Sequence, residues 1–79
     1  MNGFYDLFAD FADELTKYDR ALKNAKILRL LKSSDEAGDS VTAVVFFPIL
    51  MSEKTVGTID RIIANGLGIS EFSIEPVFD

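Results

Sequence analysis

A chain of 79 residues with 13 acids, 8 bases, no Cys and no His excludes disulfides, thiolate metal sites and the usual imidazole base. Its net charge of −5 makes a phosphate backbone a poor default partner, while a 48% apolar share with seven Phe suffices for one core and argues against disorder. No apolar run is long enough to span a bilayer, and acids (Asp6, Asp10) stand where a secretory signal carries bases, so a soluble cytoplasmic domain is expected.

The first predicted element is a helix over 3–23. Phe4, Phe8, Phe11, Leu15, Tyr18 and Leu22 are spaced by fours and threes, the repeat of one helical face. Asp6, Asp10, Asp13, Lys17 and Arg20 follow the same spacing on the opposite side, acids early and bases late, as the helix dipole favours. Asn2 is read as the N-cap and Asn24 as the stop. The stripe is read as cover for a sheet, with docking in a partner's groove as the alternative.

A strand is predicted over 25–32, from Ala25 to Lys32, with a continuation of the first helix to Leu31 left open. The polar run Ser33 to Asp39 reads as a hairpin connection. The next strand, 40–48, contains the longest strand-forming run in the chain. Val41, Ala43, Val45 and Phe47 fall on one pleat face and Thr42, Val44 and Phe46 on the other. Apolar on both faces, it reads as central and covered, and both Phe46 and Ile59 are assigned to the core.

Pro48 ends that strand, and Ser52 caps a helix predicted over 52–65, with Val56, Ile59, Ile62 and Ile63 inward and Lys54, Asp60 and Arg61 outward. Asn65-Gly66 is its expected terminator. A last strand over 71–78 alternates Phe72 and Ile74 against Glu71, Ser73 and Glu75, with Pro76 marking an edge. The order α-β-β-α-β gives a two-layer α+β sandwich, two helices on one face of a three-stranded mixed sheet, in a single domain spanning 1–79. The strand–helix–strand unit should cross over right-handed and set the last strand parallel to the central one, beside it or beyond the first strand.

Little in the chain suggests chemistry. Asp6, Asp10 and Asp13 share a helix face but do not converge as a hard-cation site requires, and 35–39 lacks the alternating ligands of a calcium loop. No metal or cofactor site and no catalytic residue is assigned. The bases Lys17, Arg20, Lys23, Lys26, Arg29 and Lys32 recur every third residue. In a regular strand that step places Arg29 on the face opposite Lys26 and Lys32. These three, where the first helix meets the first strand, are the candidates for partner contact.

The run Asn24-Ala25-Lys26-Ile27-Leu28-Arg29, the helix entry Pro48-Ile49-Leu50-Met51-Ser52-Glu53, Asp60-Arg61-Ile62-Ile63 and the stretch from Leu67 to Phe78 together resemble a known family. They are similar to the N-terminal domain of the PolC-type alpha subunit of DNA polymerase III, the replicative polymerase of low-GC Gram-positive bacteria. That domain is itself KH-like and similar to the C-terminal domain of the clamp-loader tau subunit. The resemblance covers about two thirds of the chain. It implies a non-catalytic accessory domain that docks on another replisome protein or on other domains of the same polymerase. The parent's DNA polymerase and 3'-5' exonuclease activities would lie elsewhere, and the native chain would continue past Asp79. The Gly-x-x-Gly loop of nucleic-acid-binding KH modules is absent, since Gly66-Leu67-Gly68 has the wrong spacing, which argues against direct DNA binding. The competing expectation is a free-standing acidic inhibitor, immunity-like, that binds a basic protein and lets go as salt rises.

Overall fold

The computed structural model describes residues 2–78. It is an α+β fold built on one four-stranded mixed sheet. The strands are β1 (Asn2–Gly3), β2 (Lys26–Asp35), β3 (Gly38–Phe47) and β4 (Glu71–Phe78), in the spatial order β1-β2-β3-β4. β2 is antiparallel to β1 and β3, whereas β4 runs parallel to β3 and directly beside it. The open choice about the last strand is thereby resolved. The fourth strand is a two-residue piece that sequence alone does not reveal: Asn2 pairs with Ile27 and Gly3 with Lys26. Asn2 is thus a strand residue and not a helix cap.

The expected helix over 3–23 is broken into short turns. α1 (Phe4–Leu7) and α2 (Asp19–Leu22) are single α-turns, joined by 3-10 turns at Ala9–Phe11 and Thr16–Tyr18. The breaks fall at Phe8, Leu15 and Tyr18, whose backbones leave helical geometry (φ −115°, −101° and −107°). Asp, Thr and aromatic residues are poor helix formers, and here Asp6 caps only the first turn while Thr16 and Tyr5 bond away from a continuous helix. The Gly3 N–H donates to the Asp6 carboxylate at 3.0 Å, and the Thr16 hydroxyl donates back to the Ala12 carbonyl at 3.0 Å. The Tyr5 hydroxyl donates to Asp19, tying the first turn to the last. Burial, then the Asp19 hydrogen bond and charge, holds the Tyr5 phenol well above its ordinary pKa. Burial nevertheless follows the expected stripe, for Phe4, Phe8, Phe11, Leu15 and Leu22 all reach the core.

α3 (Glu53–Leu67) is the one long helix. The Ser52 hydroxyl accepts from the Thr55 N–H at 3.1 Å, as a capping residue should. Its apolar stripe buries Val56, Ile59 and Ile63. The helix runs past the expected stop at Asn65-Gly66 and ends at Gly68, whose φ of 69° takes the left-handed turn. Gly66 instead serves close approach: a β-carbon there would lie 2.0 Å from the Phe11 ring. That contact locks the N-terminal segment onto the end of α3.

The core lies between the helical layer and one face of the sheet. Ala43, Val45 and Phe47 of β3 and Phe72 and Ile74 of β4 are buried there, with Ala25 and Ile27. Phe46 is not part of this cluster. It lies only partly buried on the opposite face, because the chain supplies helices for one side of the sheet only.

Candidate docking surface

The uncovered face of the sheet is the feature most unlike an ordinary surface. Directly paired residues share a face, so the register gives its rows. Lys26, Phe46 and Val77 form one row; Arg29, Val44 and Glu75 the next; Leu31, Thr42 and Ser73 the third. Phe46 and Val44 are partly buried, while Leu31 and Val77 are 46% and 41% exposed. An apolar ridge therefore runs along β3, with bases on its β2 flank and Glu71 and Glu75 on its β4 flank.

The three candidate bases do not stay together. A bulge between Ile27 and Arg29 inserts Leu28 without a partner. An extra residue shifts the two-residue alternation by one. Lys26 and Arg29 therefore land on the same open face, opposite Phe46 and Val44, while Lys32 pairs with Val41 and faces the helices. The alternation expected of a regular strand, with Arg29 opposing Lys26, is corrected by this bulge. No glycine or proline marks Leu28, so no turn signal betrays it.

The two long edges of the sheet differ. On β4, the Asp60 carboxylate reaches from α3 and accepts the outward N–H of Ile74 at 3.0 Å. Alternate residues of a parallel strand turn their backbone the same way, so Pro76 also faces outward and has no N–H to leave free. Burial, helped by the charge of Glu71, pushes the Asp60 carboxyl up to about 6, with the Ile74 bond pulling the other way. Asp60 borders a cleft of about 400 Å³ whose wall includes Met51, Glu53, Val56, Pro76 and Phe78. This wall holds two carboxylates, Asp60 and Glu53, and no hydroxyl, thiol or amine side chain. On β2, by contrast, β1 covers only Lys26 and Ile27. From Leu28 to Asp35 every residue is exposed, and no strand pairs with the outer side among the described residues.

Elsewhere, no three His, Cys, Asp or Glu side chains come together as metal ligands among the described residues. Among the described residues no helix is long and apolar enough to cross a membrane. The open face itself could have been read from β4, whose Glu71, Ser73 and Glu75 alternate outward. In a sheet that polar face is shared with Thr42, Val44 and Phe46. Comparison with protein-family models, with curated proteins and with solved structures finds no match to this chain.

Proposed function

We propose that this is a non-catalytic docking domain whose contact surface is the open face of its sheet. The observation that carries the reading is the apolar ridge of Val44 and Phe46 with Lys26 and Arg29 brought beside it by the Leu28 bulge. Apolar area of this kind, left bare by a chain that covers the other face thoroughly, is what protein interfaces bury at their centres. The flanking bases select a partner that presents an apolar strip edged by carboxylates. Of the overall charge of −5, little favours nucleic acid here. The resemblance to the PolC-type N-terminal domain supports a partner within the replisome, either another replication protein or a further domain of the polymerase.

The test uses purified components. Each replisome protein of a low-GC Gram-positive bacterium is titrated against the immobilised domain at two salt concentrations. One of them should bind, and Phe46→Asp or the double change Lys26→Glu with Arg29→Glu should remove that binding while Lys54→Glu leaves it. Absence of binding to every replication protein, or binding indifferent to Phe46→Asp, would sink the proposal. Preferential binding to a basic protein through Glu71 and Glu75 would favour an acidic inhibitor in its place.

A further inference from the structure

The free edge of β2 points to a second site of association, distinct from the open face. We propose that two copies of this chain pair antiparallel along Leu28–Ser34, joining their sheets into one. The inference does not rest on the docking reading, because it uses the strand's backbone edge and not the sheet face.

Three observations carry it. First, the outer N–H and C=O groups of β2 beyond Ile27 have no strand partner among the described residues, and an unpaired edge is a template for another strand. Second, that edge is blunted only by Arg29, Lys32 and the Leu28 bulge, and no side chain binds its outer backbone among the described residues. The β4 edge is blocked by Asp60 and Pro76, whereas β2 shows Leu28, Leu30 and Leu31 at 43%, 36% and 46% exposure. Third, the strand is polarised in charge. Lys26 and Arg29 lie at its start, and Asp35 ends it with Glu36 following. Antiparallel pairing with a two-fold axis near Leu31 sets Arg29 of each strand diagonal to Asp35 of the other, next to the slot that β1 fills on Lys26 and Ile27. Parallel pairing, or pairing to the β4 edge, gains no such match along a free backbone. A two-fold contact is also closed, so pairing stops at the dimer.

An axis perpendicular to the sheet keeps both helical layers on one side. The two open faces then join into one surface, with Lys26 and Arg29 of both copies flanking the axis.

The test is sedimentation velocity of the 79-residue chain over a concentration series, with amide hydrogen exchange. A reversible dimer is expected, with the amides of 28–34 gaining protection as concentration rises. Leu30→Lys sets a charge near Lys32 of the other copy and should weaken the dimer by about tenfold or more. Leu30 faces the helical side of the sheet, opposite Ala43, so this change leaves the open face intact. Arg29→Asp should weaken the dimer, and combination with Asp35→Arg should restore it. Phe46→Asp, which tests the docking face, should leave the dimer as it is, so the two ideas fail separately. A monomer up to about 1 mM, or a dimer unmoved by Leu30→Lys, overturns the inference.

Discussion

The two faces of β3 have nearly the same composition and opposite fates. Ala43, Val45 and Phe47 are fully buried under the helical layer, while Val44 and Phe46, one residue out of phase, are only partly buried under nothing. Apolar residues on both sides of a strand thus mark two faces to be covered, and the number of helices decides how many are covered within the chain. Seventy-nine residues supply one layer. The second face stays open.

Aspartate placed on either side separates them most sharply. Ile59 is fully buried in α3, so Ile59→Asp leaves a charge without a partner and should abolish cooperative thermal unfolding. Phe46→Asp should stay folded, at a cost of about 1 kcal/mol from lost strand preference. The core role expected for Phe46 from sequence does not survive its position on the open face; equal collapse of both variants by circular dichroism would restore it. A milder test of the covered side is Gly66→Ala. The added carbon would strike the Phe11 ring, so a loss of about 1–3 kcal/mol is expected from denaturant titration. An unchanged midpoint would mean that the N-terminal segment sits less closely on α3.

The smallest effect concerns the β4 edge. Asp60 has its pKa raised from 3.8 to about 6 in the folded state, so the folded protein holds the proton more tightly than the unfolded one. Its contribution to stability is full below pH 3.8 and is lost as pH rises through about 6. Asp60→Asn keeps an oxygen for the Ile74 N–H and removes the titration. Between those limits the wild type should lose stability relative to the variant as pH rises, with no divergence above; parallel curves would show that the carboxyl is too well hydrated to matter.

How far the sequence was legible follows the same physical lines. α3 was readable because its signals are local: Ser52 caps the start, and Val56, Ile59 and Ile63 repeat at helical spacing. Its end was misplaced by two residues, because Gly66 answers a contact with Phe11 and not the backbone turn that Gly68 makes. The N-terminal stripe gave the right buried residues and the wrong backbone. Spacing reports which side chains go inward, while Thr16 and Tyr5 bond in ways that a continuous helix would not need. Two of the three docking candidates share a face, and for a non-local reason. Lys26 and Arg29 share a face only because Leu28 is squeezed out of the β2–β3 ladder, and that is decided by pairing, not by any residue type.

The Phe8 ring meets Phe72 edge-on, with centroids 5.5 Å apart and planes at 81°. One residue comes from near the start of the chain and the other from its last strand. During synthesis the opening segment therefore leaves the ribosome long before the surface it must rest on exists. Until β4 arrives, its six buried apolar side chains have only the β2–β3 hairpin and α3 to lean on. A nascent chain arrested with Phe72 still in the exit tunnel should keep residues 4–22 open to protease, and release should close them. Protection already present before Phe72 emerges would show that the segment settles without its distant partner.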